Sequence, residues 1–210
     1  MKIRLILLAT SIALPLISKA QTEKGRWTMG AQIGNLSYAN QNEGHSLSIS
    51  ATPSAGYFVT DGLALGMGIP VDINTQNSVV SIANYSSKSN SLSIGLSPFV
   101  RYFIGQSKLK PYLGISYSYS RSNSNSRRTD ISGIYSSESK GKSTVLIPTL
   151  GLIYFINQHL GLSAGLNYNI NHDDQTGTIS EPTSPASPSS YSSDYKYLSL
   201  GIGFQLFIGQ

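Results

Sequence analysis

The sequence predicts an all-β fold, an eight-stranded antiparallel up-and-down transmembrane β-barrel. Three observations lead there. Apolar and small polar side chains alternate with period two through segments of about a dozen residues. The connections between segments alternate between short and long. One aromatic signature recurs at the end of every second segment.

The alternation is clearest in residues 46 to 74. Leu47, Ile49, Ala51, Tyr57, Val59, Leu63, Leu65, Met67, Ile69, Val71 and Ile73 share one parity, against mostly Ser, Thr, Gly and Ala on the other, with a turn at Thr60-Asp61-Gly62. A strand in a soluble sheet usually ends after five or six residues. At about 3.3 Å per residue and a tilt near 45°, eleven residues climb roughly 25 Å, the height of an outer-membrane apolar band. Small polar groups suit a narrow lumen, so the apolar parity is assigned to lipid.

The first predicted strand is Arg26 to Ser37, with Trp27, Met29, Ala31 and Ile33 outward and a phase slip near Gly34-Asn35 that predicts a bulge. The hairpin supplies the second and third. The fourth, Ser91 to Ile104, points Leu92, Ile94, Leu96, Pro98, Val100, Tyr102 and Ile104 outward, and Phe99, Arg101 and Phe103 inward. Pro111 to Ser120 is fifth; Thr144 to Ile156 is sixth and apolar on both faces, which leaves its register open; Leu160 to Ile170 is seventh and Tyr195 to Ile208 eighth. Prolines 53, 70, 98 and 148 fall inside these strands and predict further bulges, since proline cannot donate to a ladder. Residues 38–45, 75–90, 121–143 and 171–194 are expected to be long external loops, which places both termini in the periplasm. Within the last of them, Ser184 to Ser190 has the composition of a disordered tip.

The even strands end in Tyr57-Phe58-Val59, Tyr102-Phe103-Ile104, Tyr154-Phe155-Ile156 and Leu206-Phe207-Ile208. Each turns a Phe inward. Phe58, Phe103, Phe155 and Phe207 are therefore expected to plug the periplasmic end of the lumen, with Arg101 paired or hydrated above them. Tyr57, Tyr102 and Tyr154, joined by Trp27, are expected to form the inner membrane-interface girdle, and Tyr117, Tyr119 and Tyr168 the outer one.

Pro53 to Gly68, Ser97-Pro98-Phe99-Val100-Arg101-Tyr102-Phe103, Lys110-Pro111-Tyr112-Leu113-Gly114 and Leu150 to Tyr168 resemble the Gram-negative outer membrane protein β-barrel domain family, whose small members are similar to the outer membrane protein A and X barrels. The likeness covers nearly the whole chain after its first twenty residues. It implies a fold and a place in the cell outer membrane, and it implies no particular activity.

The chain opens with Met1-Lys2-Ile3-Arg4, an apolar run from Leu5 to Ile17 and Ser18-Lys19-Ala20, the pattern of a secretory signal peptide over residues 1–20. Cleavage is expected near Ala20-Gln21, leaving a barrel domain over 21–210. Of 15 basic residues, Lys2, Arg4 and Lys19 leave with that segment, so 12 face 10 acidic ones. Such a balance gives no reason to expect nucleic acid. Cysteine is absent, which removes disulfides, thiolate metal sites and cysteine nucleophiles.

Candidate chemistry is sparse. His172-Asp173-Asp174 has metal-capable groups, but adjacent loop residues rarely converge on one ion. The Gly-x-Ser-x-Gly run at Gly161 to Gly165 lies inside the seventh predicted strand and not at a strand-to-helix turn, so no nucleophile elbow is expected. No catalytic, metal or cofactor site is expected. Residues 121–143 carry a net +3 and residues 171–194 a net −4, which suggests attraction across the barrel mouth. The expected role is a non-enzymatic, monomeric envelope-structural or surface-contact protein. Its partners would be outer-membrane lipid, lipopolysaccharide and the barrel-assembly machinery, with the extracellular partner unspecified. A narrow porin-like channel is the alternative; a lipid A-modifying enzyme and a soluble lipocalin-like binder stand behind it.

Overall fold

The computed structural model describes residues 21–41, 43–80, 85–182 and 184–209, so the expected signal peptide lies outside the described residues. Nine strands follow: β1 (Trp27–Gln41), β2 (Gly44–Thr60), β3 (Leu63–Gly68), β4 (Val71–Val80), β5 (Tyr85–Phe103), β6 (Leu109–Asp130), β7 (Gly133–Phe155), β8 (Leu160–Glu181) and β9 (Ser184–Ile208). All pairings are antiparallel, and β1 pairs with β9, which closes the ring.

The ring has eight members because β3 and β4 occupy one position: both pair with β2 on one side and β5 on the other. Ile69-Pro70 divides them, yet the register carries straight through. Pro53 lies across from Ile69 and accepts from its N–H at 2.9 Å; Pro70 accepts from the Gly95 N–H at 3.0 Å. Each proline keeps the acceptor half of a ladder pair and omits the donor half. Pro98 and Pro148 likewise leave gaps in the β5–β6 and β7–β8 ladders with the register unchanged on either side. The four expected proline bulges are therefore absent. A residue's N–H faces one neighbouring strand only, so a proline removes one hydrogen bond and leaves the sheet in phase. The bulge expected near Gly34-Asn35 is present, as a shift between Ile33 and Asn35 in the pairing with β2.

The membrane-spanning halves follow the predicted parity. Met29, Leu65, Met67, Leu92, Ile94, Leu113, Ile115, Leu150, Leu152, Leu162 and Leu166 are exposed on the outer wall. The register left open for the sixth predicted strand is settled in β7: Leu150, Leu152 and Tyr154 face out, while Ile153 and Phe155 are buried inside. The Asp61-Gly62 turn needs glycine, because Gly62 has φ of +78° and a side chain there would press on the Phe103 carbonyl 2.6 Å away.

The expected long loops are different. They are continuations of the strands: β6 and β7 pair from Leu109↔Tyr154 up to Asp130↔Gly133, and β8 pairs with β9 up to Glu181↔Ser184. Ser184 to Ser190, read from composition as disordered, is extended backbone in β9, with Pro188 opposite Thr178. The basic and acidic segments do not face each other across the mouth. They lie side by side in one sheet, joined through β7–β8 with Lys142 opposite Asp174.

The seam between first and last strand is the shortest in the ring. β1 and β9 pair only over Trp27–Ile33 and Ile202–Ile208. Beyond it β1 continues with β2 alone and β9 with β8 alone. Leu36, Tyr38, Leu198, Leu200 and Ile202 flank this gap and are between 64% and 72% exposed, against 52% for Leu113 and 49% for Ile115 elsewhere on the wall. Ring stability should therefore respond most to a clamp here. An Ile33→Cys, Ile202→Cys pair, joined by oxidation or a short thiol cross-linker, should raise the temperature at which gel mobility shifts on heating. The same link between Ala164→Cys and Ile202→Cys, inside the long β8–β9 ladder, should raise it far less.

Candidate functional site

Inward residues of the spanning strands are mostly Ser, Thr, Asn, Gln and Gly, and they enclose a hydrophilic lumen of about 590 Å³. Its lining includes Gln32, Ser50, Ser97, Ser118, Thr149 and Asn169, together with Asp72, Tyr195 and Tyr197. Thr149 Oγ1 donates to Asn167 Oδ1 at 2.8 Å and Asn169 Nδ2 to Ser199 Oγ at 2.9 Å, so neighbouring strands are joined by side chains as well as backbone. Above the lumen, inward residues such as Ser91, Ser122 and Ser139 are half-exposed, which leaves it open to the outside.

The opposite end is closed. Phe58, Phe155, Phe207, Ile153 and Ala64 are fully buried, and Phe103 and Tyr112 are 3% exposed, in one cluster. The rings run in sequence: Tyr112 to Phe103 at 5.4 Å between centroids, Phe103 to Phe58 at 5.7 Å, Phe58 to Phe207 at 6.1 Å and Phe207 to Phe155 at 4.9 Å, all tilted. Tilted pairs at these separations add to the roughly 2–3 kcal/mol that burying each ring contributes. Arg101 stands on this floor, its guanidinium 4.4 Å from the Phe99 ring centroid and 5.9 Å from that of Tyr112. Among the described residues it makes no ion pair. Asp72 lines the same lumen.

Three parts of the floor escaped the sequence reading. Tyr112 shares the inward parity of Gly114 and Ser116, and that parity alone could have found it. Ile153 depended on the open register of β7. The third is the segment before β1, which has no period to read. Gln21, Thr22 and Arg26 are buried beneath the rings. The Gly62 N–H donates to the Thr22 carbonyl at 2.7 Å, Lys110 Nζ to Thr22 Oγ1 at 3.0 Å, and Arg26 Nη2 to the Phe207 carbonyl at 3.2 Å. Lys110 also lies over the Phe155 ring at 5.3 Å.

A closed antiparallel ring with lipid-type side chains outside and a polar interior is matched by one family model, the outer membrane protein beta-barrel domain, over residues 5–206. The chain belongs to the outer membrane protein β-barrel domain family. Its place is the outer membrane. No curated protein matches it. Among solved structures it is similar to the outer membrane protein OprG from Pseudomonas aeruginosa, at 14% identity and a TM-score of 0.59, over 91% of this chain and 99% of that one. It is also similar to Neisserial surface protein A, at 20% identity and 0.45, over 86% and 95% of the two chains. The likeness to OprG is one of fold alone.

In this membrane barrel the aromatic residues of the inner rim, Trp27, Tyr57, Tyr102 and Tyr154, all point outward, and Trp27 and Tyr57 are cross-strand partners with rings 5.2 Å apart. Tyr117, Tyr119 and Tyr168 point outward toward the other end. Above them on β8 and β9, His172 Nδ1 lies 2.7 Å from Asp194 Oδ1, and Nε2 is 3.5 Å from Asp174 Oδ2. The Asp194 hydrogen bond, then the Asp174 charge, push the His172 pKa above the usual histidine value. On the inner side of the same strands, Tyr195 donates to Asp173 Oδ2 at 2.8 Å.

Two outcomes follow. A Cβ at Gly151 would run into the Tyr112 ring, whereas one at Gly114 would meet nothing closer than 3.4 Å. Gly151→Ala should cost about 1–3 kcal/mol in urea unfolding from detergent, with Gly114→Ala near neutral. A raised histidine pKa means stabilisation that is complete below the unfolded value of about 6.5 and lost as pH rises through the folded value. Amide protection in the outer part of the β8–β9 hairpin, corrected for intrinsic exchange, should therefore fall across that window, and His172→Gln should flatten the profile.

Proposed function

We propose that this protein is a closed, non-catalytic barrel that contributes to the envelope and makes surface contacts through its extended hairpins without passing solutes. The observation that carries the reading is the floor: five interlocking aromatic rings, Ile153 and the Gln21–Arg26 segment stand across the end of the lumen that faces the periplasm. Side chains fill eight-stranded barrels readily because the interior is narrow. The hairpins support the second half of the reading, since they carry paired, uncovered backbone well beyond the apolar band. The protein acts as a monomer in outer-membrane lipid, is inserted by the barrel-assembly machinery, and is exported by cleavage near Ala20-Gln21. The burial of Gln21 and Thr22 in the floor supports that boundary.

A channel is the second reading, favoured by the hydrophilic lumen above the floor. Planar-bilayer recordings separate the two. The native chain should show no steady conductance, and Phe58→Ala combined with Phe207→Ala should create it; steady current through the native chain would overturn the closed reading.

A further inference from the structure

Basic residues are concentrated on one sector of the outer wall, just above the lipid-facing band. Strand parity turns Arg121 and Arg127 of β6, Lys140 and Lys142 of β7 and Lys88 of β5 outward. Register then sets like charges directly opposite one another, Arg121 against Lys142 and Lys88 against Arg127. Such pairs destabilise a sheet unless an anion stands between them. Glu138 and Asp174, the latter opposite Lys142, share this face, yet among the described residues none of the five cations is in an ion pair; the ion pairs are Arg128 with Asp130 on the inner face and His172 with Asp174 and Asp194.

The sector has a shape as well as a charge. Lys88 and Arg127 line a groove of about 430 Å³ with Asn77, Asn90, Asn125 and Glu138. All six belong to the outward parity, so the groove opens away from the lumen and is continuous with the lipid wall below. Arg121 comes two residues after the outward Tyr119, whose hydroxyl accepts from Arg121 Nε at 3.3 Å. Arg127 is six residues further, about 14 Å higher at the rise and tilt of a barrel strand.

The geometry points to a binding site for a phosphorylated glycolipid of the outer leaflet, its lipid-proximal phosphate held between Arg121 and Lys142 and its phosphorylated sugars in the Lys88–Arg127 groove. A lipid is favoured over a soluble anion because the lower pair sits where a headgroup stands when its acyl chains lie against Leu113, Ile115 and Leu150. Amide side chains in the groove supply the hydrogen bonds that sugar hydroxyls require, and the paired cations supply charge-assisted ones to phosphate. The site rests on residence in the outer membrane and is independent of whether the floor is sealed.

The test uses the full folded chain in nanodiscs with a core-bearing lipopolysaccharide phosphorylated on both lipid A and core, its dephosphorylated form, and inorganic phosphate as competitor. Lys88→Gln with Arg127→Gln, and Arg121→Gln with Lys142→Gln, should each weaken binding of the phosphorylated form by about tenfold or more, roughly one and a half kilocalories per mole for each pair. The inward Arg128→Gln should leave binding unchanged. Heat-shifted gel mobility confirms that each variant is folded. Equal affinity for the dephosphorylated lipid, undiminished binding by both double variants, or displacement by inorganic phosphate at matching concentration would overturn the site. Bilayer conductance reads the floor separately, so a failure of one reading is distinguishable from a failure of the other.

Discussion

Backbone hydrogen bonds that must close upon themselves in hydrocarbon govern this protein. No water is available there to satisfy a stray N–H or C=O, so a β-structure can span the membrane only as a ring. The chain meets that demand with eight strand positions, one of them shared by β3 and β4. Four prolines then become tolerable because of how they are placed. Pro53 and Pro70 still accept, and each omits a single donor while the register on both sides is preserved. A proline in a ladder is usually read as a strand terminator. Here it removes one bond from a ring that has many.

Closure at this small circumference dictates the interior. Glycines and serines let strands curve tightly and leave room where large rings are needed, so the glycines and the aromatic floor belong to one arrangement: Phe99 sits over Gly66, Tyr112 over Gly151 and Ile153 over Gly161. Charge is treated in the same economical way. Arg101 rests on aromatic faces at the floor, Arg26 and Lys110 are buried there with hydrogen bonds to Phe207 and Thr22, and the cations of the outer hairpins stand outside the band, where water or anions can reach them.

Much of the fold was legible because the spanning residues face two unlike solvents. Period two emerges when alternate side chains meet lipid and lumen, and it located the spanning strands, the inward parity of Phe58, Phe103, Phe155 and Phe207 and the slip at Gly34. The same logic explains what was missed. Above the membrane both faces of a hairpin meet water, so Ser120 to Ser126 or Ser184 to Ser190 carry no apolar contrast even though their backbones remain paired. Hydrogen bonding persists where the hydrophobic signal has ended, and composition alone reads such segments as loops. The Gln21–Arg26 segment was invisible for a related reason: its contacts with Gly62, Lys110 and Phe207 are single hydrogen bonds with no repeat.

The brief contact between the first and last strands divides the cylinder into unlike halves. Toward the periplasm Trp27–Ile33 and Ile202–Ile208 weld the circle, and the rings of the floor brace it from within. Toward the cell exterior the two margins run free, bordered by Leu36, Tyr38, Leu198 and Leu200. The inner half thus behaves as a stiff collar and the outer half as a split sleeve. An edge without a strand partner is costly in hydrocarbon, so the upper margins are the part of the wall that relies on its surroundings, while the base is held by its own ladder.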